Sequence, residues 1–289
     1  MIEVEVVGVG VRADGLDGWQ AARPVLAGTA PFVPAPAPLL APTMLAANER
    51  RRIGPVIRLA LAVAQEAAES SGLPPTALRA VFASANGDGA TVHAILESLA
   101  SPGQQVSPTQ FHNSVHNAAA GYWSIGTGST EPVTCLGCHD ATSAAALLTA
   151  AAEAQAERRP VLLCVYDLPF PEPLNTARPT AGIFGAGLVL VPGSGAGPQP
   201  EGAAVPGGAK ASAPLAKLVI DWRAGPPPPS RAAPCPDFDA LARSNPAARL
   251  LRLLQALAAD RPDRLVLDLL DGYVNIVVQP CSTTPPSSP

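Results

Sequence analysis

Residues 2–9 alternate around Val4, Val6 and Val7 and end in Gly8-Val9-Gly10, which predicts a strand running into a turn. Residues 31–42, PFVPAPAPLLAP, carry Pro at almost every second position, so the chain there is an extended loop with no helix. Apolar residues at Ile53, Ile57, Ala60, Leu61 and Ala64 then recur at helical spacing. They predict a helix over about 45–71 that stops at Ser71-Gly72 before Pro74 and Pro75. Next come a strand at 79–85, a Gly-rich turn at 86–89 and a helix at 90–100. Small residues at 118–121 would let a helix approach another backbone closely. A strand at about 132–138, a helix at about 140–157 and strands at 160–166 and 181–191 complete the series. Strands alternating with helices predict a largely parallel sheet covered on both faces.

The pattern changes at Pro192. From there to Pro236 the chain is mostly Gly, Pro, Ala and Ser, with four consecutive prolines at 226–229, and it reads as a linker interrupted by one strand candidate, Leu215 to Trp222. A capped amphipathic helix is expected over 245–260, with Ser244 or Asn245 as N-cap and Pro246 in its first turn. Segments 264–270 and 273–279, joined by Asp271-Gly272, predict a β-hairpin. The expected organisation is therefore a domain over 1–192, a Pro/Gly-rich linker over 193–236, a helix and hairpin over 237–280 that complete the domain, and a tail over 281–289.

Composition narrows the function classes. The 34 Pro and 25 Gly make up about a fifth of the 289 residues, below the ~25–30% that marks low-complexity chains. With 47% hydrophobic and 15% charged residues the chain can bury a sizeable core. The net charge of −4 and the lack of a Lys/Arg stripe argue against a nucleic-acid partner; the three arginines at 50–52 read as a solvated helix face. No run of ~18 apolar residues predicts a membrane span, and the N-terminus lacks the basic and apolar regions of a signal peptide. A cytoplasmic location is expected. There the five cysteines (135, 138, 164, 235, 281) would remain free thiols.

Several motifs invite chemistry. Cys135-Leu136-Gly137-Cys138-His139 fits C-x-x-C-H, the haem-attachment pattern, but without an export signal haem is not expected. Alternation along a strand would turn Cys135 and Cys138 to opposite faces, so a zinc site is not expected either; no metal or cofactor is predicted. The turn 86–89 lacks the Lys and Ser/Thr of a P-loop. His112, His116 and His139, with Asp140 adjacent, form a candidate acid/base cluster, yet no G-x-S-x-G elbow occurs.

The run Ser107-Pro108, Asn117, Ala120-Gly121, Pro132 and the small-residue helix start at 140–144 resembles the β-ketoacyl synthases of the thiolase-like fold. The segments VVGVG at the start, VFASANGDG at 81–89 and GIFGAGLVLV at 182–191 fall in the matching order, so the resemblance covers about residues 1–192. It implies a thiolase-like α/β half (βαβαβαββ, a mixed sheet with helices on both faces) whose second half is truncated to a helix plus hairpin. Counted without gaps from Asn117, the position of the synthase nucleophile falls on Asp140, and Thr142 falls on the small hydroxyl position of its elbow. A helix start stabilises a carboxylate as it does a thiolate, but a carboxylate cannot hold an acyl group as a workable thioester. Asp140 is therefore read as an N-cap. The four histidines (93, 112, 116, 139) all lie in the first half, so the second-half His pair of the synthases has no counterpart.

These departures resemble the chain-length factors, ketosynthase-like proteins with no catalytic residue that sit beside aryl-polyene and related type II synthases. The resemblance implies a β-ketoacyl synthase partner and an acyl carrier protein, with self-pairing when the partner is missing. It also implies that Thr109, Gln110, Phe111 and His112, with His116, Asn117 and Trp123 nearby, line the partner's acyl tunnel, and that Val133, Thr134 and Cys135 form the dimer strand. Bulk at a tunnel floor would exclude further methylenes at ~0.8 kcal/mol each of lost burial. Two enzymatic alternatives stay open: a malonyl-carrier decarboxylase using Asp140 and nearby histidines such as His139, or an acyltransferase using Cys138.

Overall fold

A computed structural model describes residues 1–38, 42–103, 105–193, 209–228 and 235–281. The chain opens with β1 (Ile2–Ala13), a two-residue β2 (Leu16–Asp17) and α1 (Trp19–Leu26), followed by α2 (Ala47–Arg50) and α3 (Pro55–Ser71). Next are β3 (Arg79–Ala83), α4 (Gly89–Ala100), α5 (Pro108–Asn113), α6 (Ala118–Thr127), β4 (Val133–Leu136) and α7 (Thr142–Glu157). The remainder is β5 (Val161–Asp167), α8 (Leu174–Ala177), β6 (Phe184–Pro192), β7 (Ala216–Ala224), α9 (Pro236–Ser244), a 3-10 turn Ala247–Leu250, α10 (Leu251–Ala259), β8 (Asp263–Leu269) and β9 (Gly272–Pro280).

The strands form one nine-stranded mixed sheet in the order β4-β3-β5-β6-β1-β7-β9-β8, with β2 paired to β1. The mixed α/β architecture agrees with the expectation; the largely parallel arrangement does not. Only β3 runs parallel to its neighbours, β4 and β5, and every other pairing is antiparallel. Periodicity predicts strands without their direction, and the segment between β5 and β6 holds only the single turn α8, too short for a parallel crossover.

The predicted helix over 45–71 is two helices, because Pro55 lacks an N–H and disfavours helical geometry at Gly54. α3 ends as expected, with Gly72 left-handed at its C-cap (φ 70°). α1 and α9 were not legible in the pattern. The strand candidate at 215–222 is β7, seated between β1 and β9. The rest of the interval read as a linker lies largely outside the described residues, as does the tail beyond Cys281.

One core lies between the sheet and α3 with α6; the other, larger core packs α1, α7 and α10 on the opposite face. β1 serves both through a β-bulge between Val6 and Gly8. Val4 and Val6 before the bulge, and Val9, Val11 and Ala13 after it, all join the α7 side. Gly8 and Gly10 are left beneath α3, where a Cβ would lie 2.2 Å from the Ala67 carbonyl oxygen and 2.3 Å from that of Val63. Backbone meets backbone there, and only glycine fits.

Candidate functional site

The carboxyl ends of β3, β4 and β5 meet where the chain leaves β3 for one neighbour and returns on its other side, the position at which open α/β sheets bind ligands. After β4 a tight turn leads into α7. Its left-handed residue is His139, φ 48°, a conformation unusual for a non-glycine and typical of a strained strand-to-helix elbow. Thr142 holds this turn together. Its buried hydroxyl accepts a hydrogen bond from the Cys138 N–H (2.9 Å) and donates to the His139 carbonyl (2.7 Å).

Asp140 is not the N-cap of α7. That position is Ala141, with no side-chain cap, and the Asp140 carboxylate turns instead toward two arginines. Oδ1 accepts from Arg178 at 3.0 Å, and Oδ2 lies 3.7 Å from Arg249. Burial pushes the Asp140 carboxyl up, but the Arg178 hydrogen bond and the charges of Arg249 and Arg178 outweigh it and hold it below the ordinary range. A carboxylate so held is a weakened proton acceptor. Arg178 also donates to His139 Nε2 at 2.7 Å, which leaves the His139 proton on Nδ1, 3.6 Å from Asp140 Oδ1.

Behind this trio lies a buried polar network. Asp167, at the end of β5, accepts from the Ser84 hydroxyl (2.7 Å) and the Asn86 N–H (2.9 Å). Burial raises its carboxyl to about 6 against the hydrogen bonds from Ser84, Asn86, Ala85 and Ala247. The Asn86 side chain donates to Leu168 O and Thr180 Oγ1 and accepts from Arg178, which joins the network to the elbow. Asn245 ties in the C-terminal segment: its amide donates to Gly182 O (3.0 Å), and its oxygen caps the Ala247 and Ala248 N–H groups.

The expected tunnel residues separate. Thr109, Phe111 and His112 are exposed and Gln110 half-buried on α5, with His112 edge-on to Tyr122 at 6.0 Å. His116 and Asn117 are exposed just before α6, and His116 Nε2 donates to Ser84 O (3.0 Å). Trp123 must be corrected. It is 1% exposed and packs against Phe82 in the α3-side core, because α6 turns its aromatic pair Tyr122 and Trp123 inward. Val133, Thr134 and Cys135 lie on β4, at one edge of the sheet. Cys135 packs toward the α3 side and Cys138 toward the α7 side, so the C-x-x-C-H residues do not converge. Among the described residues, no three His, Cys, Asp or Glu are grouped to hold a metal ion, and no helix is long and apolar enough to cross a membrane.

Arg178, Arg249 and Asp167 were not singled out by the sequence, whereas Asn86 falls in the Gly-rich turn 86–89. No motif marks the first three, and the cap at Asn245 left a local signal.

The family model of the β-ketoacyl synthase N-terminal domain matches residues 19–205. No curated protein matches by sequence. Among solved structures the fold is similar to that of a chain in the complex of the ketosynthase ApeO with its chain length factor ApeC from Xenorhabdus doucetiae. That match has a TM-score of 0.69 and 17% identity and covers 96% of this chain and 100% of that one. The ishigamide ketosynthase/chain length factor matches with a TM-score of 0.65 and 18% identity, over 96% and 99% of the two chains. A β-ketoacyl synthase from Burkholderia phymatum STM815 matches with a TM-score of 0.58 and 14% identity, over 78% of this chain and 65% of that one.

Proposed function

The chain belongs to the β-ketoacyl synthase N-terminal domain family, and from that membership we propose that it is a chain length factor, a non-catalytic subunit that pairs with a β-ketoacyl synthase in the cytoplasm and shapes its acyl tunnel. The observation that carries this reading is an exposed apolar surface on α4 and the neighbouring α5. α4 has no buried residue, and its Val92, Leu96 and Leu99, spaced i, i+4, i+7 on one face, are all exposed. Phe111, Val115 and Ile125 add three more large exposed apolar side chains on α5, the turn after it, and α6. A helix that buries nothing in its own chain needs a partner to cover its apolar face.

The edge of the sheet supports the same reading. β4 carries no charge and ends the sheet, whereas the opposite edge strand, β8, carries Asp263, Arg264 and Asp268. Charges guard an edge against pairing; an uncharged edge is open to it. The elbow carries His139 and Asp140 where an acyl-accepting thiol would stand, and Asp140 is engaged by two arginines. On α5, Thr109, Gln110, Phe111 and His112 are the residues assigned to the tunnel, with acyl chains delivered by a carrier protein.

The test is co-expression with the β-ketoacyl synthase encoded nearest to this chain, with one tag, followed by assay of carrier-bound product length. A stable heterodimer whose products lengthen or shorten when Gln110 or Phe111 is changed supports the reading. A chain that purifies alone and consumes malonyl carrier in an Asp140-dependent manner overturns it.

A further inference from the structure

The elbow opens into a cavity of about 200 Å³ lined by Asp140, Ala177, Arg178, Pro179, Thr180, Arg243, Ser244, Pro246 and Arg249. Three guanidinium side chains thus reach one small space from three separate segments: the end of α8, α9 and the 3-10 turn before α10. Arg243 and Arg249 also line an adjoining cavity of about 520 Å³, where Arg252 adds a fourth cation and Asp239 and Asp268 supply carboxylates. Arg243 and Arg252 make no hydrogen bond or ion pair within the described residues, and Arg249 meets Asp140 only at 3.7 Å.

Charge decides what the inner cavity suits. Three arginines against one carboxylate leave a net of two positive charges around it. Asp140 already takes the place of a planar carboxylate ligand, bridging Arg178 and Arg249 with one oxygen toward each. What remains is Arg243, the unused donors of Arg249, and the Thr180 hydroxyl on the wall, which accepts from Asn86 and keeps its own proton to donate. Donors approaching from several directions match a tetrahedral oxyanion, and guanidinium forks bind phosphate oxygens in pairs.

We propose that this cavity binds a phosphate dianion, free or as a monoester, between Arg178, Arg243 and Arg249, with Asp140 acting as a built-in competitor for the same guanidiniums. The site joins the elbow that follows β4 to the C-terminal segment, and binding of an anion there is measured on the single chain without any pairing.

The test is titration calorimetry of the full-length chain with inorganic phosphate and, separately, phenyl phosphate, in chloride buffer at pH 8. Saturable binding is expected. Arg249→Gln and the exposed Arg243→Gln should each weaken it at least fivefold, Asp140→Asn should tighten it at least threefold, and Arg50→Gln on α2 should leave it unchanged. Tighter binding of the ester assigns the ligand as a phosphomonoester; equal or tighter binding of inorganic phosphate assigns it as free phosphate. No saturable heat with either probe, or binding that Arg243→Gln and Asp140→Asn both leave unchanged in chains with wild-type melting curves, overturns the proposal.

Discussion

Ser84 and Asp167 close the ends of two adjacent parallel strands with a 2.7 Å hydrogen bond from hydroxyl to carboxylate. Asp167 is fully buried. Its carboxyl titrates at about 6 in the folded chain, above the ordinary ~3.9 of an unfolded aspartate. The folded state therefore holds this proton more tightly than the unfolded state between about pH 4 and pH 6. The stabilisation is full below that window and is lost as pH rises through it. A shift of about two units corresponds to about 3 kcal/mol. Asp167→Asn, which keeps an acceptor for Ser84 but carries no charge, should melt higher than wild type at pH 8 and flatten the fall in melting temperature between pH 4 and 7. Glu66, also raised by burial, leaves a residual slope of the same sign. An unaltered slope in the variant would show that Asp167 is not its source.

The glycines beneath α3 give a steric prediction. Gly10→Ala places a methyl 2.3 Å from the Val63 carbonyl oxygen, and neither backbone can yield without separating α3 from the sheet. The expected cost is about 3 kcal/mol, at the upper end for an overpacked core. Gly121→Ala on α6, where a Cβ meets nothing within 4 Å, should gain roughly 0.5–1 kcal/mol from helix propensity. Chemical denaturation of the two variants checks both signs.

Thr142→Val retains shape and removes both hydrogen bonds of the elbow, leaving the Cys138 N–H without its acceptor. A loss of about 2–3 kcal/mol is expected from orphaning part-buried polar groups, and Thr142→Ser should recover most of it. Equal melting temperatures for the Val and Ser variants would mean that the hydroxyl does not hold the turn.

The apolar face of α4 yields the opposite kind of variant, one that spares the fold and abolishes assembly. Leu96→Asp and Leu99→Asp alter side chains that are about half exposed, so the melting temperature of the single chain should move by less than a few degrees. Co-purification with the synthase should fall at least tenfold. Retained co-purification in the double variant would place the interface elsewhere.

Much of the fold was legible because its elements are separated by turn residues and carry apolar patterns of their own. α3 follows the 3.6-residue pattern, α7 is a long Ala/Leu run, β1 alternates over residues 2–9, and β3, β5 and β6 are apolar runs between turn residues. α9 escaped because it buries only Phe238, and α1 because Pro24 interrupts it. Strand direction was not legible, since it follows from connections and not from the strands. At the site, His139 and Asp140 stood out by their place before a helix. Arg178 and Arg249 did not, because nothing local distinguishes an arginine that will meet an aspartate from one that faces water. Their role exists only once the C-terminal segment folds back over the elbow.

The place of β1 in the sheet also has a consequence for synthesis. It precedes both of its long neighbours in the chain, β6, which begins at Phe184, and β7, which begins at Ala216. At roughly 5–20 residues per second, β1 waits about 10–40 s for the strands that flank it. During that interval the valine-rich segment Val4–Val11 has neither ladder to join. A nascent chain of this topology is thus exposed to chaperones and to neighbouring chains for longer than its size suggests.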